Sequence, residues 1–497
     1  MEHLKFRRQF ILINKNLNIP PGWKSTNLQA GKNNYFIYTH PDLEITESAG
    51  GNHKLILLGY IIDPFNPGLS NSEILKELSA LNGFDDIVRK TGSYNGRYIL
   101  ICSNNDTFRI FNDAVGFREV YYHFNKELIC CGTTPNIIAE YCNIEKDTDE
   151  AKNAFFNSSE FKGLGVWIGE VTIFKGINNL LPNHYLDINT RTSVRFYPYE
   201  PFKKTSLKEA VEIISRLLTG TLKGAALRYK LHQGLTSGWD TRLLLAASKD
   251  IKEQVHYYIY KMGHLNEKSK DIIISNKLAN KFNLQFKMYD VPEVDNIDSK
   301  FKEIFHANNI LARPAIMGAI YNAYINKFDD IYNVSGAYGN ELIKISFGLP
   351  KNRAVNGKEL ASLIGYERFD YVISEIDKWY NNLKKEAGTL GYNPVGLFAW
   401  EQVYNHSAAL AGSEQDIARD EIRPFNCRLL ISTANSIHDK FRYKDHPNLY
   451  IDVMKKTWKE VMAYPVYRSG TSKYFLKKIL RLLGIEQLVD RWYRSIK

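Results

Sequence analysis

Nowhere does this chain run through the roughly 18 consecutive apolar residues that span a bilayer, which speaks against a helical membrane protein. Its opening residues, Met1-Glu2-His3-Leu4-Lys5, lead into no long apolar core, so no secretory signal is expected. Cysteine is scarce. Cys102, Cys130, Cys131, Cys142 and Cys427 form neither CxxC spacing nor a paired framework. That argues against structural zinc and disulfide scaffolding and suits a reducing cytoplasm. Internal repeats, low-complexity tracts and nucleic-acid modules are also missing. What remains is a globular composition, 44% hydrophobic and 24% charged, with a net charge of +11. The 497 residues should hold two domains, or three. The positive balance draws anions of any kind, but the lysines are scattered as on a solvated surface, so no nucleic-acid partner is expected.

The first two hundred residues or so read as strand-rich. Phe10–Asn14, Asn34–Thr39, Lys54–Ile62, Gly96–Cys102 and Thr107–Phe111 are short β-branched or aromatic runs, divided by Gly, Asn, Asp and Pro clusters. Asn95-Gly96 and Asn104-Asn105 read as turns. A helix is expected over Ser70–Leu81 and another near Asp147, with more short strands from Val166 to Val194 and a linker at Pro198–Pro201. Ser206 and Glu209 then form a capping-box pattern opening an amphipathic helix. Beyond it strands alternate with helices: Val255–Tyr260, a helix over Lys268–Phe282, Gln285–Val291 and Ile331–Ser335. That βαβα order implies a parallel sheet whose ligands sit beyond the carboxyl ends of its strands. The last third reads as mainly helical.

One stretch concentrates chemistry: Gly234-Leu235-Thr236-Ser237-Gly238-Trp239-Asp240-Thr241-Arg242, between an apolar-tending run (Ala226–Leu231) and the helical pattern Leu243–Ala247. A strand, a hydroxyl- and glycine-rich turn and a helix N-terminus together hold polyphosphates. Gly238 admits close approach of an anion, while Thr236, Ser237 and Thr241 offer hydroxyls. Asp240 makes sense beside phosphate if a divalent cation lies between them. The turn lacks the lysine of the P-loop, which disfavours a kinase or GTPase. On these residues alone, an ordinary Ser/Gly turn capping a helix is the alternative. His232, His256 and His264 lie close by without metal-pair spacing and read as structural.

Several segments in fixed order resemble the asparagine-synthetase-like ATP-dependent amide ligases. Thr236-Ser237-Gly238-Trp239-Asp240-Thr241 is similar to the family's SGGxDS, and Ser269-Lys270-Asp271-Ile272 to the segment opening its next helix. Ser335-Gly336-Ala337-Tyr338-Gly339-Asn340-Glu341-Leu342 resembles SGEGxDEL. Asn112 to Tyr122 resembles D-x-x-G-x-R-P-L-Y-Y. Ile173-Phe174-Lys175-Gly176-Ile177 with Leu181-Pro182-Asn183-His184-Tyr185 resembles IFKGI…LPPGHY, and Glu421-Ile422-Arg423-Pro424-Phe425 resembles ExRxPF, one residue short. The resemblance implies an α/β chain of two parts. Residues 1–201 would form a glutaminase-like sandwich of the Ntn-hydrolase type. Residues 202–497 would form a synthetase domain of the adenine-nucleotide α-hydrolase type with a helical C-terminal region.

It implies, too, an ATP- and Mg²⁺-dependent reaction in which a small-molecule or peptide carboxylate is adenylated and passed to ammonia or an amine. Leu235, Thr236, Ser237, Gly238, Asp240, Thr241 and Gly336 would hold the nucleotide, and Asp240 and Asn340 the metal, with Glu341 adjacent. On the acceptor side the resemblance points to Tyr338, Glu421 (or Asp420), Lys473 and Arg468. The departures lie in the first half. Family glutaminases use an N-terminal cysteine thiol, where this chain has Glu2. The oxyanion-stabilising Asn of their NGEIYN motif falls on Leu58. Glutamine hydrolysis is therefore not expected, and the first half reads as a retained scaffold. Relatives without the cysteine include β-lactam-forming synthetases and peptide-ring cyclases. The rival expectation is a catalytically silent binding subunit; a tRNA modifier is a third. Lys473–Lys497 carries an apolar stripe with basic flanks that could pack as a last helix or lie on an anionic membrane.

Overall fold

The computed structural model describes residues 1–30, 33–50, 53–104, 106–262, 265–336, 341, 355–443 and 447–466. Two antiparallel six-stranded sheets fill the first part of the chain. One runs β10 (Asn178–Asn179), β8 (Tyr121–Phe124), β9 (Ile129–Gly132), β1 (Phe10–Ile13), β3 (Asn33–Thr39), β2 (Lys24–Ala30). The other runs β12 (Thr192–Arg195), β11 (His184–Asp187), β7 (Phe108–Asn112), β6 (Asn95–Ser103), β5 (His53–Ile62), β4 (Ile45–Gly50). Strict alternation of side chains explains how they stack. Phe10, Leu12, Ile56 and Leu58 face inward and meet Ile37, Ile99 and Ile110 between the sheets. Their neighbours turn outward. Ile11 and Ile13 pack on Ile137 and Ile138 of the helix Pro135–Cys142, while Leu55, Leu57 and Ile61 pack on the helices Asn71–Ser79 and Phe84–Thr91. The result is four layers, helix–sheet–sheet–helix, because strands apolar on both faces must be covered twice.

Asn95 and Gly96, expected in a turn, lie inside β6. The glycine serves strand approach: a Cβ at Gly96 would sit 2.4 Å from the Tyr60 carbonyl oxygen, and one at Gly59 would sit 2.2 Å from that of Arg97. The Ser206–Glu209 box forms by half, since Ser206 Oγ accepts the Glu209 N–H at 3.2 Å.

The remaining sheet is parallel throughout, ordered β15 (Phe286–Asp290), β14 (Val255–Lys261), β13 (Lys230–Gly234), β16 (Ile331–Val334), β17 (Glu421–Ile422). The chain winds outward from β13 to β15 and then returns to the other side of β13 through β16. The crevice where winding reverses therefore opens between β13 and β16, at their carboxyl ends. The run Ala226–Leu231 divides: Ala226 ends the helix Leu207–Ala226 and the strand begins at Lys230. One face of the sheet is apolar. Leu231, Val255, Val334 and Ile422 pack there on the helices Leu207–Ala226, Trp239–Ala247 and Asn448–Trp458. Among the described residues no helix is long and apolar enough to cross a membrane.

A buried charge network joins sandwich to sheet. Arg97 Nη1 donates to Asp416 Oδ1 at 2.5 Å and Asp420 Oδ1 at 2.7 Å, and Arg118 Nη2 donates to Asp420 Oδ2 at 2.7 Å. Asn95 Nδ2 donates to the carbonyls of Arg423 and Pro424 at 3.0 and 3.1 Å. The sandwich thus grips the segment that carries β17.

Candidate active site

At Gly234 strand β13 gives way to Leu235, Thr236, Ser237 and Gly238, and the helix Trp239–Ala247 follows. Leu235 is buried and prolongs the sheet, donating its N–H to the Tyr258 carbonyl at 2.8 Å and accepting Ser275 Oγ at 2.8 Å. Thr236 and Thr241 clasp the turn: the Thr236 N–H donates to Thr241 Oγ1 at 3.1 Å, and the two hydroxyl oxygens are 2.9 Å apart. The Gly238 N–H donates to Thr236 Oγ1 at 3.2 Å. Ser237 stands where the family pattern has glycine and turns inward. Its N–H donates to Asp271 Oδ1 at 2.9 Å and its hydroxyl donates to the same oxygen. All three hydroxyls therefore bond within the protein, and no side chain caps the helix at Gly238. An anion at this place meets a helix N-terminus and its dipole.

The second loop leaves β16 through Ser335, whose N–H donates to the Ile422 carbonyl at 2.9 Å, and Gly336. A Cβ at Gly336 would lie 3.2 Å from Leu244 Cδ1 and 3.6 Å from Asp240 Cβ, so glycine leaves space beside Asp240. Tyr450, buried on the helix Asn448–Trp458, donates its hydroxyl to the Asp240 carboxylate. Burial, followed by the charges of Asp240 and Glu341, holds this phenol well above its usual pKa. Asp240 thus accepts this buried hydroxyl, and the charge of Glu341, from the second loop, acts on it through space. Such hard oxygen ligands suit Mg²⁺, which takes one or two carboxylates and completes its shell from phosphates and water. Among the described residues no group of three or more His, Cys, Asp or Glu could hold a metal unaided. Arg242 is buried behind the loop, donating to the carbonyls of Ser237 at 3.3 Å and of Val461 and Pro465 at 3.2 Å. Asp271 and Tyr450 are the neighbours of the turn that sequence reading did not assign a role. Asp271 lies within a recognised segment, whereas Tyr450 carries no local signal.

Glu421 sits on β17, 3% exposed, with both oxygens engaged. Oε1 accepts Asn333 Nδ2 at 2.8 Å, and Oε2 accepts Nε of Arg423 at 3.0 Å together with Nη2. Asp420 lies in the interdomain network, where burial opposes ionisation but Arg118 and Arg97 hold its carboxyl far below the usual range. Tyr338, Asn340, Arg468, Lys473 and His264 lie outside the described residues, as do Ala337 and the terminal stripe. His232 is buried against Phe328, with ring centroids 4.6 Å apart.

In the sandwich, Leu58 is fully buried between the sheets. The N-terminus is pinned: Leu4 packs among Phe301, Phe305 and Ile417, and Asn308 accepts the Phe6 N–H at 2.7 Å and donates to the Leu4 carbonyl at 2.8 Å. Glu2 pairs with Lys300 at 3.1 Å.

No family model matches the chain, and no curated protein matches it in sequence. Among solved structures it is similar to glutamine phosphoribosylpyrophosphate amidotransferase from B. subtilis, solved with ADP and GMP, at 11% identity and a TM-score of 0.23. That match covers 58% of this chain and 61% of the other. It is also similar to glutamine-dependent NAD+ synthetase from Acinetobacter baumannii, solved with ADP, at 14% identity and a TM-score of 0.20, covering 48% of this chain and 50% of the other. The chain thus matches less than two thirds of either protein's length. The coarse fold, mixed α/β with antiparallel sheets and one parallel sheet, stands on the strand pairing itself.

Proposed function

We propose that the protein is an ATP-dependent, AMP-forming amide ligase related to the asparagine-synthetase-like enzymes, without glutamine hydrolysis of its own. The observation that carries this reading is the approach of Gly336 to Asp240, itself bonded by Tyr450, at the reversal of the parallel sheet. A substrate carboxylate would attack the α-phosphorus of ATP, giving an acyl-adenylate and pyrophosphate, and an amine or ammonia would then displace AMP. Mg²⁺, when bound, neutralises charge on the leaving pyrophosphate. The protein's own part is to fix geometry. The Thr236–Thr241 clasp and the Ser237–Asp271 bond hold the turn rigid, so the uncapped helix end meets the phosphates already in place. Tyr450 and Gly336 orient Asp240 and leave it room.

Support for a silent glutaminase half is equally local. Leu58 offers no donor where an oxyanion would form, and Leu4 and Phe6 are held in place by Phe301, Phe305 and Asn308. A binding-only role has one observation in its favour: the Glu421 carboxylate is saturated by Asn333 and Arg423 rather than poised as a base. Calorimetric titration with ATP and MgCl₂, followed by pyrophosphate exchange over a panel of carboxylates, separates the two. The ligase binds ATP·Mg²⁺ and exchanges; the binding subunit never exchanges. Asp240→Asn should weaken ATP·Mg²⁺ binding roughly tenfold or more while the unfolding midpoint holds. Unchanged affinity in that variant would sink the assignment.

A further inference from the structure

Alternation along β9 sends its two adjacent thiols to opposite faces. Cys131 enters the core between the sheets, while Cys130 packs on the outer side among Ile11, Ile13, Ile137 and Ile138. Thr133 and Thr134 alone separate β9 from the helix Pro135–Cys142, so that helix folds back over the strand before it. The helix ends in a third cysteine, Cys142, packed in the same apolar cluster as Cys130. There the Cys130 thiol donates to the Cys142 sulfur. Residues distant in pattern, with no CxxC spacing, thus meet as a thiol pair.

The pair stands apart from the other cysteines. Cys102, Cys130, Cys131 and Cys427 are buried, and Cys142 is partly exposed. Burial pushes the Cys102 and Cys131 thiols well above their usual range and Cys427 up to about 11. Cys142 moves the other way. The bond from the Cys130 thiol lowers its pKa first, and the charge of Lys15 adds to this against partial burial. A helix C-terminus is a poor place for an anion. Here the Asn143 and Ile144 N–H groups cover the Ala139 carbonyl, and the sulfur receives a donor and a nearby cation of its own. Access from solvent, a stabilised thiolate and a second thiol in contact are what a reversible oxidation site requires.

We propose that Cys142 is oxidised by hydroperoxides and that Cys130 resolves it, closing a reversible disulfide between β9 and the end of its helix. In the first step the Cys142 thiolate attacks one peroxide oxygen and the O–O bond breaks. The sulfur becomes a sulfenic acid, and the other oxygen takes up a proton and leaves as water or an alcohol. In the second step the Cys130 sulfur attacks that of Cys142; its proton joins the departing hydroxyl, which leaves as water. Two thiols are oxidised to a disulfide and one peroxide is reduced. The bond closes a short loop across elements already in contact, so it should stabilise the fold rather than strain it. The thiol pair belongs to the sandwich and stands whether or not the ligase reading holds.

The test takes the reduced full chain through hydrogen peroxide, alkylation and peptide mapping by mass spectrometry. Before oxidation, iodoacetamide should label Cys142 faster than Cys427 by roughly tenfold or more. After it, the Cys130 and Cys142 peptides should appear joined, and dithiothreitol should part them. Cys131→Ala should form the same bond, and Cys142→Ser should form none. Cys130→Ala keeps a small apolar side chain in the core and should leave Cys142 as a sulfenic acid that dimedone captures. The wild-type map decides by itself, so a Cys130→Ala chain that failed to fold would leave the test intact. The oxidised wild type should unfold at a higher temperature than the reduced one. The proposal is overturned if Cys142 stays open to alkylation after peroxide, if the bond forms to Cys131 or between two chains, or if oxidation lowers the unfolding midpoint.

Discussion

Leu58 and Asp240 mark a contrast between the two β regions of this molecule. In the sandwich, Leu58 is an apolar side chain sealed between sheets, and the first residues are tied down by Asn308 and the packing of Leu4. In the parallel sheet the turns after β13 and β16 keep an uncapped helix end, a glycine gap and the Asp240 carboxylate bonded to Tyr450. One region spends its polar groups on the other. Arg97, Arg118, Asn95 and Tyr60 all reach out of the sandwich toward residues 416–424. The difference is one of direction: the sandwich turns its polar groups onto the segment that carries β17, whereas the parallel sheet gathers its own at the carboxyl ends of β13 and β16.

The sharpest way to break that comparison is to cut the grip. Asp416→Ala leaves Arg97 with one carboxylate fewer inside the protein, and losing one partner of a buried charge set costs about 3–5 kcal/mol. Urea unfolding should record a loss of that size. A loss under about 1 kcal/mol would mean the two regions are held together by packing alone.

If the sandwich is a silent glutaminase, as proposed above, supplying it with that chemistry should fail and cost stability. Leu58→Asn places an amide between two apolar faces, for about 3 kcal/mol. Combined with Glu2→Cys, it should still release no ammonia from glutamine, because the terminus is pinned. Measurable glutaminase activity in the double variant would show that the sandwich is dormant rather than converted.

A subtler probe is pH. Glu119 is buried at the same interface, accepting the Tyr121 hydroxyl at 2.7 Å and the Ser413 hydroxyl at 2.5 Å, and burial pushes its pKa from 4.5 up to about 7. Between those values the folded protein holds a proton that the unfolded chain has released. Stability from this group is therefore full below about 4.5 and is lost as pH rises through about 7. Relative to the wild type, Glu119→Gln should gain about 2 kcal/mol on going from pH 5 to pH 8, read from urea midpoints at each pH. A constant difference between the two proteins would mean Glu119 is ionised throughout.

How much of this was legible in the sequence follows from how local each signal is. Phe10–Ile13, His53–Ile62 and Val255–Lys261 announce themselves because alternation and β-branching act within one strand. The Thr236 turn was equally readable, since hydroxyls, glycine and aspartate fall within six residues. Strands β2 and β4, with Lys24-Ser25-Thr26-Asn27 and Thr46-Glu47-Ser48, carry no apolar alternation, because they are sheet edges with half their groups in water. Asn95-Gly96 misled for the opposite reason, a glycine demanded by a neighbouring strand rather than by a turn. The partners that finish the site, Ser237 with Asp271 and Asp240 with Tyr450, meet across tertiary packing that no local pattern encodes.

The smallest perturbation asks whether the grip is directional. Tyr60 of β5 donates its hydroxyl to the Glu421 carbonyl at 2.7 Å, and its ring packs edge-on against Tyr229 and Tyr332. Tyr60→Phe keeps the ring and removes the donor, so stability should fall by only about 1 kcal/mol. Yet that carbonyl belongs to the strand end whose side chain fixes Arg423 and Asn333, one residue from the carbonyl that anchors Ser335 and the second loop. If the sandwich positions β17 for the ligand site, Tyr60→Phe should weaken ATP·Mg²⁺ binding by more than a surface Tyr443→Phe change does. If both variants bind alike, the sandwich holds β17 in place without tuning it, and the contrast between the two regions reduces to scaffold and site with no traffic between them.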